Sequence, residues 1–215
     1  MKIFFDVDGV LIDGWHINED LRKPWDATIE ADMGIGRRAF QELFFGASGD
    51  QRSSLMHECL TGQCDLKDAL AGVLPALGYK GSVDAFIRYW LEKDSNVNSE
   101  VLTLVGKIRE IDGVQLFIAT GQERYRADYL WNELGFSKYF DKMFYSAKIG
   151  FPKKDKRFFE AINSALNITA EEKPLFFDDQ PEIVELAEKA GWDAITFRSV
   201  RDIKEHLVLR HLWQL

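Results

Sequence analysis

The sequence predicts an α/β protein, a doubly wound parallel sheet carrying a mostly helical cap. Three observations lead there. Short apolar runs without alternation recur along the chain, as parallel strands covered on both faces require. From about residue 97 onward these runs alternate with segments of helical period, the signature of an open sheet with crossover helices. Between the first run and that region lies a long stretch rich in helix formers and aromatics, with no convincing buried strand.

The first strand is read at Ile3 to Val7, and the next acid and glycine, Asp8-Gly9, end it. Similar runs follow at Val114–Ala119, Met143–Tyr145, Pro174–Phe177 and Ala194–Phe197. Helical faces lie between them. Val101, Leu104, Val105 and Ile108 share one; Tyr125, Tyr129, Leu130 and Leu134 share another, with Gly135 as its C-cap. Phe158, Ile162, Ala165 and Leu166 mark a third. Ile183, Val184, Ala187 and Ala190 mark a fourth, with Pro181 in its first turn and Gly191 just past its end. Val200, Ile203 and Leu207 suggest a closing helix.

The expected division is a core of residues 1–13 and 97–215 and a helical cap of residues 14–96. Glycine-bearing breaks at Gly34-Ile35-Gly36, at 46–50 and at 78–82 punctuate the cap. An insert directly after the first strand must rise above the carboxyl edge of the sheet, where such folds bind ligands, and could act there as a lid.

A chain of 215 residues, 46% apolar with 16 Phe and 6 Trp, has ample material for a large core. The net charge of −8, with no basic run longer than Lys153-Lys154, lacks the concentrated positive field of a nucleic-acid-binding surface. Cys59 and Cys64 are the only cysteines, which argues against a disulfide scaffold; with His57 they fall short of a closed zinc set. Asp6 and Asp8 interrupt the N-terminal apolar run at once, and no apolar stretch is long enough to span a membrane. A soluble cytoplasmic protein without a membrane partner is expected.

Four groups able to do chemistry end successive predicted strands or enter the loops after them. Asp6 and Asp8 place two carboxylates close together at a strand end, and Gly9 permits the tight turn that follows. Alone, the pair fits either an acidic turn or a site for a hard divalent cation such as magnesium. It also fits a nucleophile beside a proton-transfer group. Thr120 and Gly121 offer a hydroxyl and a backbone N–H to a phosphoryl oxygen, or simply a turn. Lys153 and Lys154 offer an ammonium to a phosphate, or a solvated loop. Asp178-Asp179 ends an apolar strand with two further acids suited to a cation.

Asp6-Val7-Asp8-Gly9-Val10-Leu11 resembles the first motif of the haloacid dehalogenase (HAD) superfamily. Thr120 resembles its second motif, Lys153 its third, and Phe176-Phe177-Asp178-Asp179 its fourth. The segment 146–155 is similar to the family's loop of serine, aliphatic, Gly and then Lys-Pro-Asp, and that spacing selects Lys153 over Lys154 and Lys148. The resemblance implies a Rossmann-like core and a magnesium-dependent phosphatase. Asp6 would be the nucleophile forming an aspartyl-phosphate, and Asp8 the acid and then the base. Thr120, Gly121 and Lys153 would hold the phosphoryl oxygens. Magnesium would be bound by Asp6, by Asp8 through its backbone carbonyl, by Asp179 and more weakly by Asp178.

Two departures accompany the match. Lys154 and Lys156 replace prolines common in the third motif, and Ile183 and Gln180 replace polar residues frequent near the fourth. Within the family, dehalogenases lack the second acid, so Asp8 favours hydrolysis of a phosphate monoester. A phosphosugar mutase or a catalytically silent binding relative is the alternative. The implied partner is a small phosphorylated metabolite, taken by a monomer or homodimer. Candidate cleft residues in the cap are Trp15, His16, Arg22, Trp25, Arg37, Arg38 and His57.

Overall fold

The computed structural model describes residues 1–13, 24–46 and 54–210. Five strands form one parallel sheet: β1 (Lys2–Phe5), β2 (Gln115–Thr120), β3 (Lys142–Tyr145), β4 (Leu175–Asp178) and β5 (Asp193–Thr196). Their order is β3-β2-β1-β4-β5. Every strand expected from an apolar run is present, because both faces of the sheet are covered. On β1, Ile3 and Phe5 enter one buried cluster with Ile118 and Phe177, while Phe4 enters another with Phe117 and Phe176. A strand buried on both sides has no polar face to alternate with. Each fully buried Phe of this kind contributes on the order of 2 kcal/mol through removal from water.

The chain leaves the sheet after β1 and turns tightly. The backbone N–H groups of Leu11 and Ile12 both donate to Val7 O, at 2.9 and 2.8 Å. Beyond it, among the described residues, lie five α-helices: α1 (Ile29–Met33), α2 (Arg37–Phe40), α3 (Leu55–Leu60), α4 (Leu66–Val73) and α5 (Val83–Lys93). They share an aromatic core of their own, in which Trp25 stacks on Trp90 at 4.5 Å and Phe40 on Phe44 at 5.4 Å. The outgoing and returning segments run side by side. Ile12 bridges Val97 in antiparallel fashion, Asp13 N donates to Asn96 O at 2.8 Å, and Asn98 N donates to Leu11 O at 2.9 Å.

Returning to the sheet, α6 (Ser99–Arg109), α7 (Arg124–Asp128) and α11 (Val200–Glu205) cover the face bearing Ile3 and Phe5. The short α8 (Ser146–Ile149) follows β3; α9 (Lys156–Ala165) and α10 (Pro181–Lys189) cover the opposite face. The helix expected over Tyr125–Leu134 is α7 continued by a π-helical turn, Tyr129–Glu133, and Gly135 closes it at φ 76°. Among the described residues no helix is long and apolar enough to cross a membrane.

This order fixes where a ligand can go. After β1 the chain fills one side of the sheet with β2 and β3, then crosses to the other for β4 and β5. The crevice at such a switch, outside the carboxyl ends of β1, β2 and β4, is where open sheets take ligands. Asp6, Thr120 and Asp178 all stand at that edge.

Candidate functional site

The parallel register carries three strand ends to one level. Phe5 pairs with Ile118 on one side and Phe177 on the other, and Asp6 N extends the ladder by donating to Phe177 O at 2.9 Å. The next residues in each strand or loop therefore converge. Asp6, Asp178 and Asp179 each place a carboxylate oxygen within 4.8 Å of the others, and all three are buried. Lys153 enters from the segment between α8 and α9. Its Nζ lies 2.6 Å from Asp6 Oδ1 and also pairs with Asp178 Oδ2.

The charges of this cluster depend on burial and on one another. Burial pushes the Asp6 carboxyl up to about 7, against the pull of Lys153, and Asp178 and Asp8 raise it further. Burial likewise raises Asp178 despite the same ammonium. Lys153 would be lowered by its own burial, but the attraction of Asp178 and Asp6 overcomes this and holds the amine protonated. Once ionised, three carboxylates against one ammonium would carry net negative charge in a dry place, so a further cation there favours their charged forms. An all-oxygen donor set suits a hard divalent cation.

The surrounding backbone is shaped to allow this crowding. Gly9 adopts φ +82°, and a Cβ there would lie 2.3 Å from Asp179 Oδ2. Gly9 therefore serves two needs: the left-handed turn and room for the acid. Gln180 N donates to Asp178 Oδ1 at 2.9 Å, and Arg198 Nη1 donates to Asp179 O at 2.7 Å. The fourth-motif loop is thus held by a backbone N–H and a side chain from the loop after β5. Ile183 packs in the core beside Phe176 and takes no part in polar support.

Thr120 is fully buried at the end of β2, and its Oγ1 accepts from Gln122 Nε2 at 3.3 Å. Gly121 sits against Lys153, close enough that a Cβ would meet the lysine's Cβ at 3.6 Å. Lys154 points elsewhere and pairs with Glu182 on the surface, so the ammonium at the acids is that of Lys153. Asp155 caps α9 by accepting from Arg157 N at 2.9 Å, which starts that helix directly after the lysines.

Asp8 has a different setting. Its carboxylate is about a third exposed (31%), whereas that of Asp6 is almost wholly buried (4%). It receives both ends of the Arg126 guanidinium, Nη2 to Oδ1 at 2.7 Å and Nη1 to Oδ2 at 2.9 Å, and Gln122 Nε2 at 2.7 Å. The side chain of Asp8 is thus aimed at Arg126.

Gln122 and Arg126 were not legible as site residues. They lie four apart at the start of a helix whose apolar pattern alone is visible in the sequence. The cap candidates fare variously. Trp25 belongs to the aromatic core of the inserted helices. Arg37 pairs with buried Asp26 at 3.0 Å and Arg38 with Glu42 at 2.7 Å, both within the insert. His57 lies half-buried in the first turn of α3. Trp15, His16 and Arg22 lie outside the described residues. Cys59 and Cys64 are free thiols.

At the carboxyl edge of the parallel sheet, an aspartate from the end of the first strand thus faces a lysine and two further acids. A family model for haloacid dehalogenase-like hydrolases matches residues 3–191, and the chain belongs to that family. Among solved structures, a HAD family enzyme from Bacteroides thetaiotaomicron in complex with magnesium and inorganic phosphate superposes with a TM-score of 0.66 at 16% identity, covering 91% of this chain and 92% of that one. A predicted HAD-like hydrolase from Porphyromonas gingivalis gives 0.69 at 21% identity, covering 90% and 89%. The L-2-haloacid dehalogenase from Xanthobacter autotrophicus gives 0.58 at 17%, covering 90% and 75%. At these identities the likeness is one of fold. No curated protein matches the sequence.

Proposed function

We propose that this HAD-like hydrolase is a magnesium-dependent phosphatase that cleaves a small phosphate monoester through an aspartyl-phosphate on Asp6. The observation that carries the reading is the contrast between its two first-motif acids. Asp6 is buried against Lys153, Asp178 and Asp179, while Asp8 stands partly exposed beside it on a guanidinium. Two carboxyl groups in such different surroundings suit two different tasks.

Asp6, Asp178 and Asp179, with the backbone carbonyl of Asp8, would hold the magnesium; the neighbouring structure bound to magnesium and phosphate supports that choice of ion. The ion would supply positive charge opposite the phosphoryl oxygens as negative charge builds there. A carboxylate oxygen of Asp6 attacks phosphorus as the ester P–O bond breaks. Asp8 would have to leave its pair with Arg126 and take up a proton before giving it to the departing alkoxide. It then takes a proton from water, whose oxygen attacks phosphorus and displaces Asp6, releasing inorganic phosphate. Lys153 and Thr120, with the backbone N–H of Gly121, hold the phosphoryl oxygens throughout.

Asp8 also separates this reading from dehalogenation, whose carbon ester needs no proton for the leaving halide. The test is a panel of phosphorylated metabolites with Asp6→Asn as the blank, scoring both free phosphate and isomerised product. Phosphate release that requires magnesium and Asp6 supports the phosphatase. Isomerised product without phosphate would make it a mutase, and no turnover of any kind would leave a silent relative.

A further inference from the structure

Cys59 and Cys64 take no part in the cluster at the sheet edge, yet the fold brings them together. After α3, Gly62 N donates to Cys59 O at 3.2 Å and Gln63 N to Glu58 O at 2.9 Å, with Gly62 at φ +72°. These two bonds are the paired closure of a Schellman turn, which folds the chain back along the last turn of its helix. Cys64 N continues the return by donating to the same Glu58 O at 3.3 Å, which sets Cys64 beside Glu58 and its neighbour Cys59. Cys59 is buried in the aromatic core of the insert, and Cys64 packs half-buried against that core. The Cys59 thiol has Cys64 as a side-chain hydrogen-bond partner.

The two thiols are unequal. Burial pushes the Cys59 thiol up to about 12, and Cys64, Glu123 and Asp65 push the same way. Cys64 is the more open of the two, with its Sγ 3.5 Å from Asp65 O. The turn that carries them is also where the insert meets the helices of the sheet. A Cβ on Gly62 would fall 2.5 Å from Ala147 O, so the turn lies directly on α8. Ala147 N in turn donates at 3.2 Å to the backbone carbonyl of Gln122, whose side chain holds Asp8. Next to Cys64, Asp65 caps α4 and receives Arg124 Nη2 at 2.6 Å and Tyr125 Oη at 3.1 Å, both from α7. Glu123, whose charge reaches Cys59, caps α7 by accepting from Tyr125 N at 2.7 Å and Arg126 N at 2.5 Å.

We infer that Cys59 and Cys64 are a thiol–disulfide redox site, placed so that its oxidation loosens the docking of the insert on α7. A disulfide needs close Cα atoms, and a chain returned onto Glu58 O brings the two cysteines close. The oxidant is a small disulfide such as oxidised glutathione. Cys64 loses its proton to water and attacks one sulfur of that disulfide. The S–S bond breaks, and one glutathione leaves as a thiolate that takes up a proton. Cys59 then loses its proton and attacks Cys64 Sγ, releasing the second glutathione in the same way. Two protein thiols become one disulfide, and one glutathione disulfide becomes two thiols. The first attack belongs to Cys64, which is the more open; the second is slow, because Cys59 is buried. A bonded S–S distance of about 2.05 Å draws Cys64 inward from Asp65 O, and draws Asp65 with it from Arg124 and Tyr125.

The test incubates the native chain with oxidised glutathione and maps the products by mass. Glutathione should appear first on Cys64, at a rate about tenfold or more above that on Cys59, and should leave as the Cys59–Cys64 disulfide forms. Cys59→Ala should stop at the Cys64 adduct, and Cys64→Ser should take up glutathione about tenfold more slowly. Dithiothreitol should restore both thiols. No disulfide in the native chain at equilibrium, or one that forms only in denaturant, would overturn the inference.

Amide hydrogen exchange reads the docking, and neither readout depends on what the site hydrolyses. Oxidation should raise exchange along α7 by about threefold or more, and dithiothreitol should reverse the rise. The double variant Cys59→Ala, Cys64→Ser should show no change with the same oxidant. Asp65→Asn should raise exchange along α7 without any oxidant, since it weakens the same contacts. A disulfide that forms and leaves exchange along α7 unchanged would overturn the link to docking.

Discussion

Lys153 Nζ stands 2.6 Å from Asp6 Oδ1 on the floor of the site, a cation from the loop before α9 meeting a carboxylate from the end of β1. Both groups are buried, and Asp178 lies on the other side of the same ammonium. The lysine pairs with two acids that would otherwise face each other in a buried place.

Lys153→Met should therefore act on both catalysis and stability. Loss of a placed cation from a phosphoryl site should lower kcat by about 10²–10³. Leaving the acids uncompensated should cost about 3–5 kcal/mol at pH 8. At pH 5 the cost should be smaller, since carboxyls raised by burial take up protons there. Chemical denaturation of both proteins at the two pH values checks this; a stability gap that does not widen with pH contradicts it.

The state of Asp6 sets a pH dependence on metal binding. Its carboxyl is pushed up by burial from an ordinary 3.8 to about 7 in the folded, metal-free protein. Between those values the folded chain keeps a proton that the unfolded chain has lost, so this group's contribution to stability falls as pH rises through the window. Magnesium needs the carboxylate and must displace that proton. Its affinity should rise by up to about tenfold per pH unit as pH climbs toward 7, then level off. Calorimetry in buffers of different ionisation enthalpy should find close to one proton released near pH 6. No proton release there would contradict the assignment.

Gly9→Ala tests the crowding at the fourth motif. The added Cβ would fall 2.3 Å from Asp179 Oδ2, and φ +82° is strained for any side chain. A loss of about 1–3 kcal/mol in stability is expected. Magnesium affinity should fall as well, because Asp179 must move. Unchanged metal affinity in a folded Gly9→Ala protein would separate Asp179 from the metal site.

The fold was open to reading because burial on both faces of the sheet leaves strands as uninterrupted apolar runs, as in Phe176-Phe177. The acids that cluster at its edge were legible for a related reason: Asp6 and Asp178-Asp179 follow such runs directly. Arg126 was not. Its position on α7 is one polar place among several on an amphipathic helix, and only the tertiary approach of Asp8 and Asp94 gives it meaning. Trp25, Arg37 and Arg38 show the converse, since residues suited to a ligand are satisfied by partners within the insert. The small breaks in helical geometry, such as the π-helical turn Tyr129–Glu133, leave no mark on the apolar period.

The central claim is that Asp6 carries the phosphoryl group, and trapping that adduct tests it most directly. The protein would be mixed with magnesium and an aryl phosphate, quenched in acid during turnover, and reduced with borohydride before peptide mapping. The account predicts reduction of the Asp6 side chain to an alcohol, dependent on substrate and metal and absent from Asp6→Asn. Phosphate released at full rate with Asp6 unmodified, and undiminished in Asp6→Asn, would contradict it.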